Sequence, residues 1–405
     1  MTPDSDSQSH RAAEQSQVQL THDQAKDLAR TFLKQGRLSA AQELIQQLRQ
    51  KLPMDAEVIL LAASCEFQRG HPSVARSLVR KASHVSPDLD KVKEALAELD
   101  TLDRDLAGNR YLNEYLVQSN RHMDYPRNIQ LETVGRCNAK CDFCPHGELD
   151  RKFESMSDSL FEKIVNEASV IPATSPLNFF MNVVNEPFMD KNIFSKMRLL
   201  NERIPHATIG IYTNMSVMPA LFFEKLSEIK QITFWNVSFQ AANKAEYERS
   251  MGIDFERSVA NIKRFLDRNR KEQLVKGPIL ISRTGTGGQD DTRFIEECKS
   301  LFAEYDCDEE IVPFYKNRAD WLGQVKVDGQ SEVPVLLPCN QWLNISIFCN
   351  GVVPHCCMDA QGRFPFGDVN KQSILEIYNS PHFRNLRENV VSRDVIYPCN
   401  TCALL

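Results

Sequence analysis

The chain has 405 residues, more than one ordinary domain holds, and predicts two or three. Hydrophobic residues at 42% and charged residues at 25% indicate a globular chain with a core and exclude wholesale disorder. The 48 Lys and Arg against 54 Asp and Glu leave a net charge of −6, which argues against a nucleic-acid binder relying on a global positive field. No apolar run approaches the ~20 residues of a membrane span, and the start MTPDSDSQSH lacks a basic, apolar signal segment. The expectation is a soluble cytoplasmic protein with neither nucleic-acid nor membrane partners.

In chain order, residues 1–20 are polar, lack aromatic side chains and are expected to be disordered. Residues 21–105 carry an internal repeat with a period of 34: Gly36 and Gly70, Ala41 and Ala75, Pro53 and Pro87, Ala29 and Ala63. This is the tetratricopeptide period, with small residues where helices cross and Pro ending the second helix. The segment resembles about two such repeats plus a helix carrying Val92, Leu96 and Leu99, although Ala25 and Ile59 stand where that family has a large aromatic. An unrelated stack of helical hairpins is the alternative. Either would serve as a docking surface or a lid. Residues 106–126 read as a linker.

From Pro126, β-rich runs alternate with amphipathic helical ones. The predicted strands are Ile129–Val134, Leu177–Val184, Ala207–Thr213, Ile232–Phe239, Pro278–Arg283 and Glu310–Phe314. Between them lie stretches such as Leu160, Phe161, Ile164 and Val165, opened by a Ser159–Glu162 capping box, and Val259, Ile262, Phe265 and Leu266. Six strand–helix units predict an α/β fold with a parallel sheet, too short for a closed eight-unit barrel. A partial barrel over 127–325, with its chemistry at the C-terminal strand edges, is the expected form. Residues 326–405 form a third region, small and α+β: Leu343–Phe348, Asn350–Gly351 and Val352–Val353 read as a β-hairpin, and Ser380–Pro381 as a helix start.

Twelve cysteines are too few for a disulfide scaffold, and a reducing cytosol would keep them as thiols. Cys137, Cys141 and Cys144 are spaced C-x3-C-x2-C just after the first predicted strand. Three thiolates on one loop suit a [4Fe–4S] cube with one open iron, because four are needed to close it. A zinc site with His146 as fourth ligand is the weaker alternative. Cys339, Cys356 and the pair Cys399 and Cys402 supply a second, closed set of four, which tetrahedral zinc could also use. Cys65, Cys298 and Cys349 read as structural thiols, and His355 and His382 as surface or edge histidines.

The segment CNAKCDFC resembles the signature of the radical S-adenosylmethionine (SAM) superfamily, C-x3-C-x-aromatic-C, with Phe143 as the aromatic. The resemblance covers about 127–325 and implies a partial (β/α)6 barrel. It also implies that SAM chelates the open iron of a cube on Cys137, Cys141 and Cys144. One electron then cleaves its C–S bond to a 5′-deoxyadenosyl radical that abstracts hydrogen from substrate. Asn185-Glu186-Pro187 resembles the family's Gly-Gly-Glu-Pro element, which receives the SAM amine. Val184 and Asn185 replace its glycines, and a helix N-terminal charge is the alternative role for Glu186. Thr213, Asn214, Ser238 and Gln240 stand where the family binds ribose and carboxylate. The spacing of Cys339, Gly351 and Cys356 resembles the SPASM pattern in its shortened Twitch form. That form implies one auxiliary [4Fe–4S] cluster on Cys339, Cys356, Cys399 and Cys402, with Cys357 competing with Cys356.

These resemblances imply a flavodoxin- or ferredoxin-type electron donor and a two-electron oxidation of a small polar, sugar- or aminocyclitol-like substrate. The auxiliary cluster would take the second electron. Modification of a peptide docked on residues 21–105 is one alternative. A non-enzymatic scaffold clipped by zinc is another. Tyr315, Arg318, Trp321 and Asp359 are candidate substrate contacts by position, and no acid or base is assigned.

Overall fold

The computed structural model describes residues 20–69, 72–97, 110–285, 288–307, 309–317, 320–325, 337–390 and 392–402. The expected disordered N-terminus and Arg318 lie outside them. The chain divides into two compact units, Met1–Leu106 and Ala107–Leu405.

The first unit is helical. A capping box between Thr21 and Gln24 opens α1 (His22–Lys34), which is followed by α2 (Leu38–Lys51), α3 (Ala56–Gln68), α4 (Pro72–Val85) and helical residues 90–97 (α5). The starts of α1 and α3, His22 and Ala56, are separated by the period of the sequence repeat, as are those of α2 and α4, Leu38 and Pro72. Ala29, Ala41, Ala63 and Ala75 are all buried in one shared core. A larger side chain at these places would force the helices apart.

The second unit opens with a correction. The stretch read as a linker contains α6 (Arg110–Arg121), whose Tyr115 is buried edge-on to Trp342 at 6.3 Å. Ser119 Oγ donates to the Arg387 carbonyl. The helix is held by partners from the far end of the chain, which its local polarity does not reveal.

Seven strands follow: β1 (Asn128–Leu131), β2 (Asn178–Phe180), β3 (Thr208–Thr213), β4 (Ile232–Ser238), β5 (Ile279–Gly285), β6 (Val312–Asn317) and β7 (Asn344–Ile347). They form one open parallel sheet in the order β6-β5-β4-β3-β2-β1-β7. Ile209 and Ile211, Trp235 and Val237, and Ile279 and Ile281 are buried; each pair stands two residues apart and so shares one face of its strand, in a core with Ile262, Phe265 and Phe294 of the helices. The intervening helices are α7 (Asp158–Ala168), α8 (Ile193–Arg203), α9 (Phe222–Ser227), α10 (Lys244–Met251), α11 (Phe255–Glu272) and α12 (Gln289–Leu301).

Two local expectations change. The cap of α7 is Ser157, whose hydroxyl accepts from Leu160 N, so Ser159 lies inside the helix and Glu162 completes no capping box. The expected hairpin is confined to its turn, where Gly351 N donates to Phe348 O and Phe348 N to Val352 O, both at 2.9 Å, while β7 joins β1 in parallel. The short β8 (Val352–Val353) pairs instead with β9 (Gly367–Asp368). The region from 326 on therefore contributes a strand to the main sheet. It also supplies α13 (Ile374–Tyr378) and α14 (Pro381–Glu388), the latter with Ser380 at the N-cap and Pro381 at N1 as expected.

Candidate active site

The strand ends carry the chemistry. The loop after β1 leads into Cys137, Cys141 and Cys144, and its backbone is pinned from several sides. Lys140 N donates to Met251 O (2.7 Å), Asp142 N to Ser250 O (3.1 Å) and Glu186 N to Arg136 O (3.0 Å). Gly135 packs so tightly that a Cβ there would lie 2.1 Å from the Arg151 carbonyl oxygen. Gly252 ends α10 at φ +65, a conformation open to glycine at little cost, where the chain passes Lys140. Asn138, between the first two cysteines, donates to Ser216 Oγ (2.8 Å) and accepts from Asn214 Nδ2 (3.1 Å), which ties the loop to the end of β3.

The three thiols line one cavity of about 990 Å³. Phe143, Asn185, Glu186, Thr213, Asn214, Ser238 and Gln240 line it too, so the structure brings together the residues expected around SAM. Pro187 is set back from the wall, buried at the first position of a short 3-10 turn. Glu186 is 2% exposed and accepts from Thr213 Oγ1 and Asn214 N, both at 2.8 Å, and from Phe188 N at 3.2 Å. Its carboxylate thus caps that turn and also joins the ends of β2 and β3. Burial raises its pKa to about 7, against the three donors, which favour the charged form. Gln240 Oε1 accepts from Thr284 N, and the Phe143 carbonyl accepts from Trp321 Nε1 at 2.9 Å. His146 Nε2 lies 2.8 Å from the Gly135 carbonyl, so its ring is engaged by the backbone.

Burial pushes the Cys137 thiol up to about 12 and Cys144 to about 11, and it raises Cys141, helped there by its cysteine neighbours. Such thiols stay neutral until a metal takes their protons. The second set behaves alike. Burial raises Cys339 to about 11 and Cys399 to about 12, and Cys356 further under the added charges of Cys357, Cys339, Cys399 and Cys402. Cys357, half-buried and raised to about 12 by desolvation, lines the cavity. His355 is 4% exposed, not at the surface as expected, and its Nε2 lies 3.1 Å from Cys399 Sγ. Cys65, Cys298 and Cys349 are buried within cores. None of the twelve cysteines forms a disulfide.

Among the described residues, no group of three or more His, Cys, Asp or Glu side chains is placed to hold a single metal ion. Asn182 Oδ1 and Asn185 Nδ2 line the same cavity as buried polar atoms without partners, free to receive a polar ligand.

Residues 131–297 match the model of the radical SAM superfamily, and residues 339–403 match that of SPASM, an iron-sulfur cluster-binding domain. The chain carries a radical SAM domain and a SPASM domain. SAM and iron-sulfur clusters are therefore its cofactors, and the thiols and orphaned amides above fit them. The chain is 25% identical over 264 residues to the S-adenosyl-L-methionine-dependent 2-deoxy-scyllo-inosamine dehydrogenase of Niallia circulans, covering 64% of this chain and 85% of that one. Among solved structures, Streptococcus suis SuiB bound to its precursor peptide SuiA shares the fold at a TM-score of 0.51 and 14% identity, covering 86% of this chain and 87% of that one. BtrN in complex with AdoMet and 2-DOIA aligns at 0.43 and 16% identity, covering 68% and 92%.

The radical SAM cavity also holds residues that local sequence reading missed. Lys316 and Tyr212 lie near the ends of β6 and β3, places that the rule of catalytic strand ends could have flagged. Of the positional guesses, Trp321 lines the cavity and Tyr315 is exposed. Asp359 is fully buried and accepts from the backbone N–H groups of His355, Arg363 and Phe364, a structural role. No helix among the described residues is long and apolar enough to cross a membrane.

Proposed function

We propose that this radical SAM enzyme oxidises a small polar, sugar-like substrate by two electrons and passes the second electron to an auxiliary [4Fe–4S] cluster. The observation that carries this reading is a shared wall. The cavity has Cys137, Cys141 and Cys144 on one side and Cys357 on another, and the neighbouring Cys356 interacts with Cys339, Cys399 and Cys402. A substrate in that space would have hydrogen-abstracting chemistry and an electron acceptor within one protein wall. Bound SAM supplies a 5′-deoxyadenosyl radical. The chain's own residues would hold it: Glu186, Asn185 and Asn214 offer polar groups and Phe143 an aromatic face. The likeness to the Niallia circulans dehydrogenase supports an alcohol as the oxidised group. A flavodoxin or ferredoxin in a reducing cytoplasm would prime the reaction.

A second reading, peptide modification, draws on the helices of the first unit, whose starts recur at the 34-residue period expected of peptide-docking repeats. The test is iron, sulfide and zinc per chain after anaerobic reconstitution, together with 5′-deoxyadenosine. We expect about eight irons, falling to about four in the Cys137/Cys141/Cys144→Ala variant, as two cubes require. One 5′-deoxyadenosine should form per product. Zinc in place of iron, or SAM regenerated each cycle, would refute the proposal.

A further inference from the structure

The walls of the cavity are electrically lopsided. Four cationic side chains, Arg136, Lys140, Lys152 and Lys316, line it against a single carboxylate, Glu186, whose oxygens already accept three hydrogen bonds. The cofactors do not reverse this balance. An oxidised cube on three thiolates carries one negative charge and SAM one net positive charge, so together they cancel, and an auxiliary cube on four thiolates would bring two negative charges against the four cations.

Lys316 stands out within this field. Arg136 donates to the Phe153 carbonyl and Lys152 to that of Gly147, whereas the ammonium groups of Lys140 and Lys316 have no hydrogen-bond or ion-pair partner among the described residues, and of these two it is Lys316 that lies against an aromatic ring. Its Nζ lies 5.6 Å from the centre of the Tyr212 ring, over a face that attracts a cation. Much of its surface is open to solvent. Together these place the ammonium on the cavity wall, wetted from inside and unpaired. An unpaired ammonium on a cavity wall gains a charge-assisted hydrogen bond from an anion that enters.

We propose that this part of the cavity is an oxyanion site, in which Lys316 binds a phosphate or carboxylate carried by a sugar-sized substrate. The inference deepens the oxidation reading and rests on the same cavity being the substrate site. It narrows the substrate to an anionic sugar, because a cationic aminocyclitol would meet four like charges. Tyr212 flanks the site, and Cys357 lies close enough for charge at its sulfur to act on the ammonium.

The test is equilibrium binding to reconstituted holoenzyme with SAM present and no reductant. The probes are glucose 6-phosphate, glucuronate, glucose and glucosamine at low ionic strength. At least one anionic sugar should bind about tenfold or more tighter than glucose, as a charge-assisted hydrogen bond provides, and glucosamine should bind weakest. In Lys316→Gln the preference should shrink to within about twofold, while Lys316→Arg should keep it. Equal binding of all probes, tighter glucosamine, or a preference that survives Lys316→Gln overturns the proposal. A readout on the wild-type enzyme guards against a variant that misfolds. Pyrophosphate should slow acetylation of Lys316 by acetic anhydride about threefold or more, read by peptide mass spectrometry, and an unchanged rate again overturns the site. Neither measurement requires turnover. Their failure would leave the oxidation reading in place for an uncharged substrate, and failure of that reading would leave the anion site standing.

Discussion

Asn138 is a small residue with a large positioning role. It lies one residue after Cys137, and its amide exchanges hydrogen bonds with Ser216 and Asn214 from the loop after β3. The cysteine-bearing loop is thereby fixed against the strand end that also holds Glu186. Asn138→Ala would leave Ser216 and Asn214 short of partners at a cost of about 1–2 kcal/mol. We expect faster loss of the first cluster's iron to a chelator and weaker SAM binding, with the second cluster's iron unchanged. Equal chelation half-lives for variant and wild type would exclude this role. The cysteines themselves were legible from spacing alone, because an iron cube demands thiolates at short fixed separations. Asn138 was not, since an amide beside a cysteine has many uses and its partners lie 76 and 78 positions downstream.

Single side chains also join whole elements. Arg151, 4% exposed, makes a two-pronged pair with the fully buried Glu132 at the exit of β1, at 2.5 and 2.9 Å. A third guanidinium nitrogen donates to the Ala360 carbonyl, and the group lies 3.3 Å from the centre of the Phe348 ring. One residue thus ties β1, the cluster loop and the C-terminal region together. Removing one partner of such a pair strands a buried charge, so Arg151→Ala should cost about 3–5 kcal/mol. Urea melts should show that loss, and Glu132→Gln combined with Arg151→Met should recover much of it. If the double variant is no more stable than Arg151→Ala, the stranded charge is not the cause. The six strands of the radical SAM domain were legible because β-rich runs alternate with amphipathic ones. β7 was not. An Asn-Gly turn after Leu343–Phe348 looks locally like a hairpin, and the open edge of β1 that captures β7 lies far upstream in the sequence.

The whole molecule adds two expectations. Each compact unit buries its own apolar core, so residues 107–405 should fold without 1–106, retain about eight irons and still cleave SAM. Loss of iron on truncation would show that the helical unit is needed for the fold. The second concerns acid. His122, 1% exposed at the end of α6, has its pKa lowered to about 4 by burial, while the unfolded chain titrates near 6.5. Below 6.5 the unfolded state binds the extra proton first, so stability falls as pH drops toward 4. By pH 5.5 this contributes about 1 kcal/mol, and His122→Gln should lose that part of the pH dependence. Parallel thermal melts at pH 7.5 and 5.5 would read the difference, and identical slopes would rule it out.

The sequence by itself determined the chemistry that depends on local spacing. The C-x3-C-x2-C loop and each β-rich or amphipathic run are written in residues a few positions apart, and the second thiol set in a spaced pattern over residues 339–402. Tertiary structure alone decided what the folded chain brings together. It set Cys357 in the cavity wall beside the second thiol set, His355 against Cys399, and Lys316 unpaired among like charges. Burial and long-range electrostatics set those properties. Both depend on which strands become neighbours, and no local pattern of residues encodes that.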